Sequence, residues 1–321
     1  MAPRKITIVE VGPRDGFQME SQFIPTDTKV SIINQIARSG VGVIEATSFV
    51  HPAVIPQMKD ASEVLRNIDR VPGVRYVALV PNVKGARNAL QARADGVKIV
   101  LSVTESSNQR NLRMPVKESL RQAEEILRLA VEAGVTNEVV ISVAFGCPYE
   151  GDVSDTAVAG LVATLTGIGF REISIADSVG VANPASVRHI SSMLLRQFPQ
   201  AHFSLHFHNT RGLGLANVLA GMEAGIDQFD SSIGGLGGCP IVKGGIGNVT
   251  TEDLVNMLNE MSVECGVSLD AILQAARMAQ DFLKRPLSSY LLAAGTRQNL
   301  YERNRHHNPN PVRGEHDRQL R

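Results

Sequence analysis

The sequence predicts an α/β protein, a closed (β/α)8 barrel with additional C-terminal helices, on three observations. Short runs rich in β-branched residues alternate with longer segments of helical periodicity as far as about residue 260. Eight such units fill close to the 250 residues or so that this barrel typically needs. The first strand is followed by Gly12-Pro13-Arg14-Asp15-Gly16, not by the Gly-x-Gly-x-x-Gly of a dinucleotide-binding open sheet, which is the competing fold.

Each βα unit is predicted from an apolar run followed by a helical pattern. The strands are predicted at 6–11, 41–46, 74–80, 97–103, 138–144, 172–176, 203–208 and 228–232. The helices between them are predicted at 27–38, 61–68, 84–93, 116–133, 154–168, 184–197 and 213–224, and two more follow the last strand at 251–261 and 269–283.

Helix boundaries are supported by start and stop residues. Thr26 or Asp27, Ser154, and Asn183 followed by Pro184 are typical of helix N-termini. Gly40, Gly134 and Gly225 stand where helices are predicted to end, because a left-handed cap costs glycine least.

The predicted domain organisation is one barrel domain over residues 1–283 and a C-terminal extension over 284–321. From Glu302 the extension is polar and has little to bury, so we expect it to be poorly ordered or packed on a neighbour. The His306-His307 pair in this tail is interpreted as non-functional.

Composition excludes several classes of function. The 321-residue chain is 43% hydrophobic, and its 32 basic and 32 acidic residues give no net charge, so it lacks the basic footprint of a nucleic-acid-binding protein. Three widely spaced cysteines argue against a disulfide framework and for a reducing compartment. Neither a signal-type h-region after residues 1–5 nor an apolar run of membrane-spanning length is found. We therefore expect a cytoplasmic protein that binds no membrane and no nucleic acid.

A His-x-His pair lies on the seventh predicted strand. Because side chains alternate along a strand, His206 and His208 point to the same face. Two imidazoles that converge in this way are a plausible half of a metal site, although histidines on strands are also common as hydrogen-bonded core or surface residues.

The other ligands are predicted from barrel closure. Catalytic residues of such barrels lie at the C-terminal ends of the strands, and closure makes strand one the neighbour of strand eight. Asp15 and Asn248 could therefore meet His206 and His208 at one point. This donor set suits Mg²⁺ or Mn²⁺ best, with zinc or cobalt left open. The alternative for Asp15 is a turn residue beside Gly16.

Further candidates carry charge or a thiol. Glu45 lies in an apolar strand, where an unpaired carboxylate would be costly, and Arg14 is its expected partner. Asp177 follows strand six and could act in catalysis or cap the next helix. The glycine-rich segment after strand eight lacks the ending of a phosphate loop and is interpreted as a mobile lid. Its Cys239 could deliver a thiol to the site or be a small buried residue.

Several runs resemble 3-hydroxy-3-methylglutaryl-CoA lyases. They are Val9-Glu10-Val11-Gly12-Pro13-Arg14-Asp15-Gly16, Ile44-Glu45-Ala46-Thr47-Ser48-Phe49-Val50, Gly146-Cys147-Pro148-Tyr149-Glu150-Gly151, His206-Phe207-His208 and Gly234-Gly235-Leu236-Gly237-Gly238-Cys239-Pro240. The similarity spans about residues 5 to 283. The resemblance implies a TIM barrel and a Mg²⁺ or Mn²⁺ ion held by Asp15, His206, His208 and Asn248, with Arg14 contacting substrate and Cys239 on a loop.

The resemblance also implies a reaction. Asp15 or His206 would remove a proton from the tertiary hydroxyl of an acyl-CoA substrate, and Arg14, oriented by Glu45, would stabilise the thioester enolate left after carbon–carbon cleavage. Cys239 would then protonate that enolate to give acetyl-CoA. A part in leucine degradation and ketone-body formation belongs to the same expectation. A homodimer is expected separately, because a barrel of this kind exposes helices on its surface.

One stretch departs from the lyase pattern. These lyases usually read His-x-His-Asp-Thr-Tyr-Gly, whereas this chain has His208-Asn209-Thr210-Arg211-Gly212. Arg211 could bind a substrate carboxylate or CoA phosphate, so the departure puts acyl specificity in question. The alternatives are a Claisen-type condensing synthase, which commonly carries a long C-terminal region, and a barrel that binds metal or acyl-CoA without catalysis.

Overall fold

Eight parallel strands close into a barrel in chain order, as the sequence predicts, in a computed structural model that describes residues 5–238 and 247–301. The strands are β1 (Thr7–Glu10), β2 (Val43–Ser48), β3 (Arg75–Val80), β4 (Gly96–Ser102), β5 (Thr136–Ser142), β6 (Glu172–Asp177), β7 (His202–Phe207) and β8 (Gln228–Ser231). β1 pairs with both β2 and β8, so the predicted neighbourhood of strands one and eight is confirmed.

Helices surround the barrel and follow its last strand. They are α1 (Thr26–Arg38), α2 (Ala61–Asn67), α3 (Val83–Gln91), α4 (Glu105–Leu112), α5 (Val116–Glu132), α6 (Asp155–Ile168), α7 (Pro184–Gln197), α8 (Gly214–Ala224), α9 (Thr251–Glu260), α10 (Leu269–Leu283) and α11 (Tyr290–Ala294). The nine predicted helices are present within a few residues of their predicted ends, whereas α4 and α11 were not predicted.

Helix α4 was not predicted because its sequence has no apolar stripe. It is held instead by the buried side chain of Asn108. The Asn108 amide oxygen accepts from the Ser102 N–H at 3.0 Å, and its amide nitrogen donates to the Met114 carbonyl and the Ser119 hydroxyl. Hydrogen bonds of this side chain therefore hold α4 in place, whereas apolar packing holds the other helices.

The predicted helix caps are largely present. Ser154 accepts the Ala157 N–H, and Asn183 forms a capping box with Ser186. Gly40, Gly134 and Gly225 all have the positive φ expected of helix ends. Thr26 is different: Pro25 is the N-cap of α1, and the Thr26 hydroxyl donates to Asp60 at 2.9 Å.

The apolar core occupies two places. Most of it lies between the strands and the surrounding helices. A smaller cluster of Val9, Val11, Val43 and Val77 is separate from that layer. Charged side chains lie on the same inward faces, because Glu45 follows Val43 by two residues on β2. The interior of the barrel therefore contains this small valine cluster with charged side chains beside it.

The chain beyond α10 returns to the barrel. Helix α11 is fixed by Asp253 of α9, whose carboxylate accepts the N–H groups of Tyr290 and Leu291 at 3.0 Å and the hydroxyl of Ser289 at 3.3 Å. Among the described residues no helix is both long and apolar enough to span a membrane. The tail from Glu302, with its His306-His307 pair, lies outside the described residues.

Candidate active site

A cavity of about 500 Å³ opens at the C-terminal ends of the strands. Its wall includes four of the predicted site residues, namely Arg14, Asp15, His206 and His208. A second cavity of about 560 Å³ lies at the opposite mouth and is lined by none of the predicted residues. The first cavity lies at the end of the barrel that contains the active site in enzymes of this fold.

Asp15, His206 and His208 form a buried three-residue cluster in this cavity. One ligating atom from each lies within 4.8 Å of the others. His208 Nε2 is 3.9 Å from Asp15 Oδ2, and each of the three residues is less than a tenth exposed. The structure thus brings together three of the four predicted metal ligands, in an arrangement that could hold a metal ion.

Asn248, the fourth predicted ligand, joins the same cluster. Its side-chain nitrogen donates to Asp15 Oδ2 at 2.7 Å and to the Leu236 carbonyl at 3.0 Å. Its Oδ1 atom is buried and has no hydrogen-bond partner among the described residues. A buried amide oxygen without a donor is costly unless it binds something. Two imidazoles, one carboxylate and this oxygen fit a divalent cation.

The local backbone explains why these side chains meet. After β1, residues Gly12–Gly16 form one π-helical turn, and the Asp15 N–H donates to the Val11 carbonyl at 2.7 Å. His208 and Asn248 are paired by an antiparallel bridge. Gly237 has φ +114°, and a Cβ there would lie 2.5 Å from the Asn248 side-chain nitrogen. Only glycine can approach the cluster so closely.

Arg14 lies beside the cluster and carries its nearest fixed positive charge. Its Nε donates to Glu45 Oε1 at 2.5 Å and its Nη1 to Asp15 Oδ1 at 2.6 Å. Burial raises the pKa of Asp15, but the charge of Arg14 and then those of the two histidines outweigh it and hold that pKa at about 2. Asp15 is therefore ionised at neutral pH, and the expected Arg14–Glu45 pair is present.

Electrostatics distinguish the two histidines. Burial disfavours protonation of His206, but the hydrogen bond and charge of Asp230 more than compensate and raise its pKa. Burial, and next the charge of His206, lower the pKa of His208 to about 4. His208 is consequently neutral at pH 7, which is the state in which imidazole binds metals.

The match to known families follows this geometry. The model of the family described as HMGL-like matches residues 5–279. The chain belongs to the HMGL-like family. The expectation of lyase relatives drawn from the sequence motifs is thereby confirmed.

Relatives of this HMGL-like chain include proteins named hydroxymethylglutaryl-CoA lyase. The lyase YngG of Bacillus subtilis is 44% identical over 89% of this chain and 96% of its own length. The mitochondrial lyase of Bos taurus is 40% identical over 91% of this chain and 90% of its own. An HMG-CoA lyase structure from Acinetobacter baumannii, in complex with coenzyme A and 3-methylmalate, has 41% identity and a TM-score of 0.88 over 92% of this chain and 96% of that one.

Three polar residues of this HMGL-like chain lie outside the cavity wall. Both carboxylate oxygens of Asp177 accept backbone N–H groups of the loop before α7, from Val181 at 3.0 Å and Ala182 at 2.8 Å, whereas the cap of α7 itself is Asn183. Arg211 donates to the carbonyls of Val179 and Gly180 at 2.9 and 2.8 Å. Asn209 accepts the N–H of Gly214 at 2.9 Å. Asn209 and Arg211, which depart from the lyase pattern, therefore hold loops and are not among the described residues that line the cavity.

The predicted proton donor, Cys239, lies outside the described residues. The start of its glycine-rich segment, at Ile233 and Gly234, is held by two buried carboxylates that were not predicted. Glu10 accepts the N–H of Ile233 at 2.9 Å, and Glu252 accepts that of Gly234 at 2.9 Å. Burial is the main cause that raises the pKa of Glu10 to about 7 and that of Glu252 to about 8.

A group of charged residues that was not predicted from the sequence lies inside the barrel. Lys98 Nζ lies 3.2 Å from Asp230, 3.3 Å from Glu138 and 3.6 Å from Glu45. A charged residue within an apolar strand was the signal that identified Glu45, and the same signal is present at Lys98 and Asp230.

Proposed function

We propose that this protein is a divalent-metal-dependent carbon–carbon lyase that cleaves 3-hydroxy-3-methylglutaryl-CoA to acetyl-CoA and acetoacetate. One observation carries the proposal: the Arg14 guanidinium lies 2.6 Å from Asp15, which forms a cluster with His206 and His208 at the barrel cavity. A cation beside a metal-binding cluster is what the cleavage of a 3-hydroxyacyl thioester requires, because negative charge develops at two places on the substrate.

A bound divalent ion, held by Asp15, His206, His208 and Asn248, would supply a Lewis acid for the hydroxyl and carboxylate oxygens of the substrate. Mg²⁺ and Mn²⁺ suit the oxygen-rich part of this donor set. Of the two proposed proton acceptors, Asp15 is the weaker base because its pKa lies near 2. His206 is therefore the better candidate to accept the hydroxyl proton; because its ring has one free lone pair, it would do so while the ion is held by Asp15, His208 and Asn248.

Loss of that proton drives cleavage of the bond between C2 and C3. The ketone product is acetoacetate, and the other fragment is the enolate of the acetyl thioester. Arg14 is proposed to face the enolate oxygen, since its hydrogen bond to Glu45 and its contact with Asp15 fix the guanidinium in one orientation. Cys239 is proposed to protonate the enolate carbon from the glycine-rich segment.

The acyl part of the substrate is proposed to lie across a cavity whose wall is partly charged and partly apolar. Arg14, Asp15, His206 and Asp230 contribute charged groups to the wall, and Leu79, Val100, Val140 and Ala176 contribute apolar surface. Ala176 is paired in register with His206 on the adjacent strand. A small alkyl group at C3 would therefore lie against apolar side chains while the oxygens face the cluster.

The CoA part is proposed to leave through the cavity mouth, where Arg110 and Arg113 are exposed to a ligand. Arg110 lies 4.6 Å from the ring centroid of Tyr149. Guanidinium groups suit phosphate recognition. The complex of the Acinetobacter relative with coenzyme A supports an acyl-CoA substrate for this family.

A product assay tests the proposal. The purified protein is incubated with 3-hydroxy-3-methylglutaryl-CoA and Mn²⁺ or Mg²⁺, and acetyl-CoA and acetoacetate are quantified separately. We expect equal amounts of both, no product with excess EDTA, and recovery when metal is added back. If metal-loaded protein forms neither product from this thioester or from its 3-ethyl homologue, the protein is a binding barrel and the proposal is wrong.

Further features remain proposals. We expect a homodimer, and sedimentation velocity would measure the oligomeric state. A cytoplasmic location is supported by the cysteine content, since Cys147 and Cys265 are free; relatives of equal identity are named cytoplasmic or mitochondrial. A part in leucine degradation and ketone-body formation would follow from the proposed substrate.

A further inference from the structure

Lys98 is an almost fully buried cation on β4, with 1% of its surface exposed. Its ammonium group contacts carboxylates from three other strands: Glu45 on β2, Glu138 on β5 and Asp230 on β8. Water does not stabilise the charge of a buried ammonium group. The three carboxylates stabilise it instead and fix its position. Lys98 thus ties together strands from opposite sides of the barrel interior.

Asp230 connects Lys98 to the metal-binding cluster. Its Oδ2 atom lies 3.2 Å from Lys98 Nζ and 3.2 Å from His206 Nδ1. An ammonium group has donors and no acceptor, so the Asp230 carboxylate faces both nitrogens as an acceptor. The proton of the neutral His206 ring is then on Nδ1, and Nε2 carries the lone pair.

The neighbouring histidine lacks such a support. His208 Nδ1 is buried and has no hydrogen-bond partner within the described part of the chain. Only one of the two imidazoles is therefore held by a carboxylate, and that carboxylate is itself held by a buried cation. A carboxylate behind a metal-binding histidine fixes the tautomer and the orientation of its ring.

We propose that Lys98 and Asp230 are positioning residues, which hold His206 with an unprotonated Nε2 directed at the cluster and thereby set the affinity of the site for its metal. The inference rests on the metal-binding part of the proposed function and not on lyase turnover. Nε2 serves His206 in either of its proposed roles, as a ligand or as a proton acceptor, because both use a lone pair.

Two variants and a matched control test the inference. Asp230→Asn removes the charge behind His206, and Lys98→Gln removes the cation behind Asp230. Glu138→Gln is the control, because Glu138 also contacts Lys98, at 3.3 Å, but it accepts its other hydrogen bond from the Ser204 hydroxyl and none from His206 within the described residues. All three are compared with the wild type in metal-free form, and their folding is checked by circular dichroism and urea denaturation.

Calorimetric titration with Mn²⁺ alone gives the first readout. We expect about 10- to 100-fold weaker binding in Asp230→Asn and Lys98→Gln, and a change below about threefold in Glu138→Gln. Nitrogen NMR of ¹⁵N-histidine-labelled protein gives the second: His206 is expected as the Nδ1–H tautomer in the wild type and as a mixture in Asp230→Asn.

Unchanged Mn²⁺ affinity in folded Asp230→Asn, or an Nε2–H tautomer in the wild type, would overturn the inference. If Lys98→Gln does not fold, the Asp230→Asn variant still decides it. A protein that binds Mn²⁺ as expected but cleaves no thioester would contradict the proposed function and leave this inference intact.

Discussion

Replacement of Arg14 by glutamine separates a catalytic role from a structural one. Glutamine keeps a hydrogen-bond donor but removes the charge that now lies 2.5 Å from Glu45 Oε1 and 2.6 Å from Asp15 Oδ1. Loss of a fixed charge opposite a developing oxyanion typically costs about 3 to 4 kcal/mol, or about 10²- to 10³-fold in kcat. We therefore expect kcat to fall at least to this extent with saturating metal.

Stability and metal binding should respond differently from turnover. Glu45 is fully buried and loses its closest donor, which costs about 1.5 to 3 kcal/mol of unfolding free energy before compensation by Lys98. Mn²⁺ should bind at least as tightly as before, because a cation beside the Asp15 carboxylate has been removed. A large fall in kcat without a fall in Mn²⁺ affinity would identify Arg14 as a group that acts on the substrate.

The assay combines steady-state kinetics, calorimetric Mn²⁺ titration and urea denaturation. Arg38→Gln is the control, since Arg38 pairs with Asp69 at 3.2 Å on the surface and should change kcat less than about twofold. Retention of more than a tenth of the wild-type kcat in Arg14→Gln would refute the electrostatic role. Loss of Mn²⁺ binding together with activity would show instead that Arg14 assembles the metal site.

Three further predictions concern other parts of the chain. Cys239→Ala should abolish turnover while folding and Mn²⁺ affinity persist, and Cys147→Ala should keep activity; near-normal kinetics in the first variant would remove the proton-donor role. Ala176→Val, which enlarges a side chain paired with His206, should lower kcat/KM for the 3-ethyl homologue more than for the 3-methyl substrate, and equal losses would contradict the proposed alkyl position. His202 has its pKa raised to about 9, chiefly by its hydrogen bond to Glu172. Its stabilisation is therefore full below about pH 6.5 and lost between pH 6.5 and 9. His202→Gln should lower the urea midpoint at pH 6 and leave it nearly unchanged at pH 10, whereas a pH-independent difference would argue against this ion pair.

The cluster of Asp15, His206 and His208 could be predicted because it depends on two simple rules. Strand alternation places His206 and His208 on one face, and closure of the barrel brings Asp15 beside them. The Arg14–Glu45 pair followed from the cost of burying a lone carboxylate in an adjacent strand. These inferences need only sequence order and strand direction.

The remaining features depend on contacts across the barrel that local patterns do not contain. Lys98 and Asp230 are 132 residues apart and meet only inside the closed barrel. Arg211 was expected at the substrate, but the loop after β6 presents carbonyls to it. Helix α4 depends on hydrogen bonds of Asn108 that no periodicity reveals. Side-chain direction in loops and charge pairing inside the barrel therefore required the three-dimensional structure.

The most direct test of the central claim is the mass of the acetyl-CoA that the Mn²⁺-loaded protein forms from 3-hydroxy-3-methylglutaryl-CoA in D₂O at low conversion. Cleavage through a thioester enolate, with protonation by a group that exchanges with solvent, predicts acetyl-CoA that carries one deuterium in its methyl group and appears together with an equal amount of acetoacetate. Acetyl-CoA without deuterium, or no acetyl-CoA from protein shown to bind Mn²⁺, would contradict the account.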